Sequence, residues 1–144
     1  MAGPKQPDLV KYRIESAEER LEAARVLMKR KLFKDAISRA YYAIFQAARA
    51  ALATKKLDAH KHSGVISLFN QHFVKSGIFA KDFSKILSST RDLREASDYD
   101  DFYLVSKEEA QEAIDNAEKF IKGVQEFLDI CYGSKPQSPS DPDK

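Results

Sequence analysis

The chain has few of the residues that strands, disulfides and tight turns require. Its 144 residues include five glycines, a single cysteine and no tryptophan. Alternating runs of β-branched residues are also missing, so strands have little support and the class predicted is all-α. Cys131 alone can form neither an intramolecular disulfide nor a thiolate metal site, and we expect it to be a partly buried apolar residue.

Long apolar runs are absent as well. No stretch approaches the roughly 18 consecutive apolar residues of a membrane span. The N-terminus, with Pro4, Lys5 and Asp8, has no apolar signal-peptide core, and we therefore expect a cytoplasmic protein without membrane contact. Hydrophobic residues make up 43% of the chain and charged residues 32%, a composition that suits one folded domain.

Patterns typical of common enzymes are missing too. There is no glycine-rich phosphate loop and no serine nucleophile elbow. The three histidines, His60, His62 and His72, lack the spacing of metal ligands, and we expect no metal and no other cofactor. His60 and His62, with the lysines shortly before them, form a modest basic cluster that either contacts phosphate or is a solvated loop.

Acidic residues are scarce in the first part of the chain. Residues 1–91 carry 18 Lys or Arg and 8 Asp or Glu, hence +10, whereas residues 92–144 carry 6 and 14, hence −8. This asymmetry has two interpretations. Either one face is basic enough to meet nucleic acid, or the helices neutralise one another across the fold.

Apolar residues at helical spacing predict an antiparallel four-helix up-down bundle with an additional short helix across one end. Residues 1–12 are predicted to be flexible, and residues 132–144, rich in proline and serine, to form a disordered tail. Capping boxes are predicted for Ser16 with Glu19 and for Ser106 with Glu109. The predicted helices run from Ser16 to about Lys31, from a cap at Asp35 to about Thr54, from His62 to Gly77, from about Lys81 to the Asp98 region, and from Ser106 to about Cys131.

The second of these helices has three longitudinal stripes where an amphipathic helix has two. Small and bulky apolar residues form two neighbouring stripes, so several neighbours must cover the helix and we expect it to be central. The third stripe is polar and could bond to neighbouring helices or form the wall of a functional cleft. Its members, at i, i+3, i+7 and i+10, are Arg39, Tyr42, Gln46 and Arg49.

A second charged segment, residues 91–99, carries an arginine on the edge of the predicted buried face. Arg94 and Asp98 are four residues apart, as are Arg91 and Glu95, so both pairs have the spacing of intrahelical salt bridges. An arginine that leans inward is costly unless it has a partner. Arg94 with Asp98 or Tyr99 is therefore expected to form a structural or functional network.

Three motifs in order make the chain resemble the HEPN-domain proteins, specifically the small stand-alone prokaryotic members of uncharacterised activity. The motifs are the R-A-Y-Y-A-I-F-Q-A-A-R-A segment at residues 39–50, the H-S-G turn at 62–64 and the L-R-E-A-S-D-Y segment at 93–99, and the resemblance spans about residues 13–130. It implies a bundle of four to five helices, usually homodimeric. Such proteins are often encoded beside a minimal nucleotidyltransferase and act in toxin–antitoxin or defence settings.

The resemblance also implies a site. Active members of the family are metal-independent ribonucleases with an Arg-x(4–6)-His motif, in which arginine stabilises charge on the phosphate and histidine transfers a proton. Arg94 matches the motif arginine, but Asp98 and Tyr99 stand where the histidine would be, and no histidine follows His72. Tyr99 is also a candidate acceptor of nucleotidyl groups.

These observations predict a toxin-type or defence-type module that interacts with RNA or a nucleotide and lacks the ribonuclease motif. The candidate catalytic residues are Arg94, Asp98 and Tyr99, and the candidate RNA- or nucleotide-binding residues are Arg39, Tyr42, Gln46, Arg49, Arg91 and His62. The alternative is a noncatalytic homodimeric partner subunit of a minimal nucleotidyltransferase, in which the Arg94–Asp98 pair only fixes helix packing.

Overall fold

The structure, a computed structural model, describes residues 6–99, 101 and 103–133. Every regular element in this part of the chain is helical, which confirms the predicted all-α class and the helical bundle. The elements are α1 (Gln6–Lys29), α2 (Phe33–Ala53), α3 (His62–Phe69), a π-helical turn (Asn70–Val74), α4 (Lys81–Tyr99) and α5 (Lys107–Tyr132).

Helix α2 is the centre of the bundle, as its two apolar stripes predict. Thirteen of its 21 residues are buried, and it contacts α1, α3, α4 and α5. Eight of the thirteen are alanines, whose small side chains let neighbouring backbones come close. The bulkiest buried side chain of the helix is that of Tyr41, which is fully enclosed.

An aromatic cluster fills the space between the π-helical turn, α4 and α5. Phe69 lies 5.3 Å, centroid to centroid, from both Phe79 and Phe120, and Phe83 lies 5.3 Å from Phe120. The rings are tilted with respect to one another, an arrangement that aromatic quadrupoles favour. Gly123 on α5 makes room for this cluster, because a Cβ there would stand 2.5 Å from the Phe83 ring.

The predicted start of the first helix is wrong. Helix α1 begins at Gln6, and Ser16 lies in its interior, where its hydroxyl accepts hydrogen bonds from Arg20 (2.9 Å) and Gln46 (3.1 Å) instead of capping a helix end. Residues 6–12, assigned to a flexible segment by the sequence, are helical because Val10 is drawn into the core. Residues 1–5 and 134–144 lie outside the described residues, and most of the predicted tail falls there.

The cap predicted for α2 is wrong as well. The helix begins at Phe33, its N-cap is Leu32, and no side chain caps it. The chain reverses at Lys31, whose φ of 63° allows the Leu32 amide to donate to the Leu27 carbonyl at 2.9 Å. Asp35 therefore lies inside the first turn, where a negative charge still favours the helix dipole.

Other boundaries agree with the sequence. The starts of α3 at His62 and of α4 at Lys81 are confirmed, and Ser106 and Glu109 form the predicted capping box. Cys131, in contrast, is exposed, because the last turn of α5 extends beyond the packed part of the bundle.

Candidate anion-binding site around Arg94

Arg94 projects from α4 onto two consecutive tyrosines of α2. Its guanidinium carbon lies 5.1 Å from the centre of the Tyr42 ring and 5.6 Å from that of Tyr41. Only 17% of its side chain is exposed. Both rings are within the range of a cation–π contact, and such a contact strengthens when the cation is withdrawn from water. Arg94 therefore leans inward, as the sequence predicts, and the faces of the two tyrosine rings stabilise its charge.

The Arg94 guanidinium also forms the predicted ion pair with Asp98, one turn later. Its Nε lies 3.3 Å from Asp98 Oδ2, but it is buried and outside hydrogen-bond geometry, so the pair is an electrostatic contact. Among the described residues, no side chain or carbonyl accepts a hydrogen bond from the two terminal nitrogens of Arg94. These two nitrogens form the planar fork that binds carboxylates and phosphates in a bidentate manner.

His62 reaches the same place from the first turn of α3. Its Nδ1 lies 3.0 Å from the Tyr41 hydroxyl oxygen, and its ring lies 5.7 Å from that of Tyr42 and 4.2 Å from that of Phe45, centroid to centroid. Burial raises the pKa of Tyr41 to about 12, so its hydroxyl keeps its proton. The two tyrosines whose rings lie against Arg94 thus also contact His62.

The environment keeps the His62 imidazole neutral. Burial lowers its pKa below the ordinary 6.5, and the nearby positive charge of Arg94 lowers it further. In the tautomer in which Tyr41 donates to Nδ1, the other ring nitrogen, Nε2, is a donor. In the opposite tautomer Nε2 is an acceptor. The cluster of Arg94, His62, Tyr41, Tyr42 and Asp98, called the Arg94 cluster below, therefore combines a cation with a neutral proton carrier.

Two residues of the predicted polar stripe lie elsewhere. Gln46 and Arg49 face α1, where Gln46 donates to Ser16 and Arg49 donates to Gln46 at 3.3 Å and to Asp58 at 3.3 Å. Arg13 of α1 joins them, with Nη2 3.0 Å from Asp58 Oδ2 and Nη1 3.1 Å from the Arg49 carbonyl. Gln46 therefore bonds to a neighbouring helix, the first of the two interpretations that the sequence allowed, whereas the Arg49 side chain bonds within α2 and to the loop that follows it.

Asp58 belongs to the loop that leads from α2 to His62. Two arginines bind its carboxylate, and it accepts a hydrogen bond from the Ala59 amide at 2.8 Å. Burial alone would raise its pKa, but the hydrogen bonds from Ala59, Arg49 and Arg13 outweigh it and hold the pKa below 3.8. The loop thereby has a fixed path, and His62 emerges from it four residues later.

The remaining predicted residues surround the Arg94 cluster without joining it. Arg91 pairs with its neighbour Asp92 at 3.3 Å, not with Glu95 as its spacing suggested. Arg39 is exposed on α2, and Tyr99, 79% exposed, ends α4. The sequence patterns did not indicate a site role for Tyr41, nor that His62 and Arg94 lie against the same tyrosine. The Tyr41–Tyr42 doublet is the sequence signal that could have found this arrangement, since adjacent tyrosines offer aromatic faces to a cation.

In the described part of the chain no group of three or more His, Cys, Asp or Glu side chains is close enough to hold a metal ion. In the same residues no helix has the length and apolar character that crossing a membrane requires.

The fold and the Arg94 cluster define a small helical-bundle protein with an ionic and aromatic cluster between its second, third and fourth helices. Comparison with known proteins identifies the family. The chain matches the HEPN domain over residues 10–127 and belongs to the HEPN family.

Several relatives are similar over most of their length. A Methanocaldococcus jannaschii protein named "Putative toxin" is 42% identical over 115 residues, which is 80% of this chain and 85% of the relative. A second "Putative toxin" from that organism is 31% identical over 80% of this chain and 78% of its own length. A UPF0332 protein from Gloeobacter violaceus is 37% identical over 126 residues, covering 87% of this chain and 97% of the relative. The family and the names of these relatives support a toxin-like HEPN module.

Proposed function

We propose that this protein is a toxin-type HEPN module that binds RNA, with the Arg94 cluster holding a backbone phosphate. The observation that carries the proposal is the common support of Arg94 and His62 by the Tyr41–Tyr42 doublet. Positively charged and neutral hydrogen-bonding groups in one partly enclosed place are suited to a phosphodiester.

Each member of the cluster has a defined task in this proposal. The terminal nitrogens of Arg94 bind two phosphate oxygens, while the ion pair with Asp98 holds the guanidinium in its inward orientation. The half-buried ring of Tyr42 offers an edge against which a base or ribose can pack. His62, neutral at physiological pH, hydrogen-bonds a phosphate oxygen or a ribose hydroxyl through Nε2.

The proton-carrying role that the family assigns to a histidine after the arginine fits His62 better than Asp98 or Tyr99. Asp98 is engaged with Arg94, and Tyr99 is 79% exposed at the end of α4. His62 lies far from Arg94 in sequence but shares its tyrosine support. A histidine can therefore take part at this site even though none follows Arg94 in the chain.

The test is the salt dependence of RNA binding, measured by fluorescence anisotropy with a labelled single-stranded pool. Arg94→Gln is expected to weaken binding at least tenfold and to reduce the slope of log affinity against log salt by about 0.7, the contribution of one phosphate on a single strand. Arg30→Gln, which removes an exposed charge just after α1, is the matched control and should change little. His62→Gln should weaken binding without changing the slope, because it removes no charge. Gel analysis of the same mixtures reports any cleavage. The proposal fails if the wild-type protein, correctly folded by circular dichroism, does not bind RNA at low salt.

The exposed end of α4 favours a second candidate function, that of a noncatalytic partner subunit. Tyr99 is 79% exposed and Leu104, five residues later in the sequence, is 90% exposed, and exposed apolar side chains of this kind are suited to a protein contact. The partner would be a second copy of this chain or a minimal nucleotidyltransferase, and Tyr99 is accessible as an acceptor of nucleotidyl groups.

Co-expression with a minimal nucleotidyltransferase encoded beside the gene tests this candidate. Co-purification that Leu104→Glu abolishes, together with a nucleotide mass on Tyr99 that Tyr99→Phe removes, would support it. A chain that elutes as a monomer and retains no nucleotidyltransferase would contradict it. If Arg94→Gln lowers stability but changes neither RNA binding nor co-purification, the ion pair with Asp98 is structural only.

A further inference from the structure

A second polar surface lies at the far end of the helices that form the Arg94 cluster. Helix α3 and the π-helical turn both contact α4. His62 meets the tyrosines beneath Arg94 near the end of α4, whereas Lys75, just after the π-helical turn, faces Lys81 at the start of α4. Between these lysines is an open groove with a volume of about 670 Å³.

The groove has the chemistry of a phosphate and ribose site. Lys75 and Lys81 flank it, and the hydroxyls of Ser67 and Ser84 and the amide of Gln71 line its walls. No acidic residue lines it, and residues 59–81 contain no Asp or Glu at all. The two acidic residues that border this segment have partners elsewhere: Asp58 pairs with Arg13 and Arg49, and Asp82 is bound by Lys119 on α5. Among the described residues, no acidic side chain forms an ion pair with Lys75 or Lys81.

One face of α4 connects the groove with the Arg94 cluster. Lys81, Ser84, Ser88 and Arg91 follow one another at i, i+3, i+7 and i+10, and Arg94 is one turn beyond. Arg94 lies 13 positions after Lys81, which corresponds to about 20 Å along the helix axis. This is longer than a mononucleotide but suits a strand of several nucleotides.

The opposite wall has an irregular backbone. The π-helical turn at Asn70–Val74 widens the chain where it faces the groove, and π-helical turns are rare and frequent at functional sites. The buried Asn70 Oδ1 has no hydrogen-bond partner among the described residues.

We infer that the groove between the π-helical turn and α4 is a second phosphate subsite, so that the ligand is single-stranded RNA laid along α4 and not a mononucleotide. The inference rests on the proposed function, because Arg94 holds one phosphate while Lys75 and Lys81 hold phosphates further along the strand. A duplex does not fit between two neighbouring helices, whereas a single strand exposes its phosphates, riboses and base edges to both walls.

The test compares Lys75→Gln/Lys81→Gln with Lys107→Gln/Lys122→Gln. Both double variants remove two exposed lysines, and the second pair lies on α5, outside the groove. Binding is measured by anisotropy with a labelled single-stranded RNA of about ten nucleotides, within the size range of known single-strand sites. Mononucleotide binding is measured separately by NMR shifts of the His62 ring.

The expected result is a loss of at least tenfold in oligonucleotide affinity for the groove variant and a salt slope smaller by about 0.7 to 1.4, since each lost phosphate contributes about 0.7. The NMR shifts caused by a mononucleotide should be unchanged in the groove variant. The oligonucleotide affinity of the α5 variant should equal that of wild type. The inference is overturned if the two double variants behave alike, if the oligonucleotide binds wild type no better than a mononucleotide, or if polyglutamate competes as well as RNA. Failure of wild type to bind any RNA overturns the proposed function itself. Loss of binding in Arg94→Gln but not in the groove variant overturns only the second subsite.

Discussion

Replacing Asp58 by asparagine is expected to lower the free energy of unfolding by about 2 kcal/mol at pH 7. The side chain of Arg13 is 8% exposed, and its guanidinium depends on the Asp58 carboxylate, 3.0 Å away, for charge compensation. Removing one partner of a fully buried ion pair costs about 3–5 kcal/mol. Half of the Asp58 side chain is exposed, so solvent screens the charges and the expected loss falls to about 2 kcal/mol. Asparagine retains an oxygen for the Ala59 amide, so the substitution tests the charge and not the loop conformation.

Urea unfolding followed by circular dichroism measures this loss. Asp115→Asn is the matched control, since Asp115 is an exposed residue in the middle of α5 whose oxygen accepts from the Gln111 amide at 3.0 Å and asparagine can replace it. The control should stay within about 0.5 kcal/mol of wild type. In a thermal melt, 2 kcal/mol corresponds to a lowering of Tm by about 6 °C for a domain of this size.

The pH dependence of the stability difference tests whether the charge of Asp58 is responsible for it. The folded state holds the pKa of Asp58 below its ordinary 3.8, so the ionised carboxylate stabilises the protein above that pH. This stabilisation is lost as the pH falls through the folded-state pKa. The difference between wild type and Asp58→Asn should therefore be full at pH 7 and shrink below pH 3.8. A difference that persists unchanged in acid, or a variant no less stable than the control at pH 7, would show that charge compensation of Arg13 is not what the carboxylate provides.

Three further predictions concern packing, capping and titration. Gly123→Ala should destabilise the protein by about 1–3 kcal/mol in urea, because its Cβ would stand 2.5 Å from the Phe83 ring, and no loss would mean that the ring moves freely. Ser106→Ala should cost about 1 kcal/mol through loss of the capping box, and an Asn at the same position should restore most of it in the same assay. His62 should titrate below 6.5 by NMR, and Arg94→Gln should raise its pKa toward that value because a positive charge is removed. If the His62 pKa did not change in this variant, the charge of Arg94 would not be what lowers it.

Hydrophobic periodicity predicted most of the fold because most of the chain obeys it. The wide apolar arc of α2 indicated a helix covered by several neighbours, and the structure packs four other helices against it. The predicted starts of α1 and α2 were wrong because local capping chemistry does not decide where these helices begin. Ser16 and Asp35 have the chemistry of caps, but both lie inside helices whose packing extends further toward the N-terminus. Tertiary burial of residues such as Val10 outweighs a cap that is worth about 1 kcal/mol.

The Arg94–Asp98 pair was predicted because both residues lie on one helix, where spacing determines distance. The approach of His62 to Arg94 was not predicted, since it depends on the loop that precedes α3. Asp58 ties that loop to Arg13 and Arg49, and the Ala59 methyl group lies so close to Gly64 that a Cβ there would stand 2.9 Å from it. No spacing rule connects residue 62 with residue 94, because their distance is a property of three packed helices.

The excess of basic residues in the first part of the chain is neutralised by other helices at some positions and not at others. Across the bundle, Arg25 of α1 lies 2.5 Å from Glu118 of α5, so the acidic second part neutralises part of the basic first part at this contact. The pair of Lys119 on α5 with Asp82 on α4 has the opposite sense, since its base lies in the second part of the chain. The segment 59–81 has no such partner within itself, because it lacks acidic residues altogether. This segment forms one wall of the groove and carries His62 to the Arg94 cluster. The Arg25–Glu118 contact fits neutralisation between helices. The segment 59–81, which carries Lys61, Lys75 and Lys81 without an acidic residue, fits a basic surface.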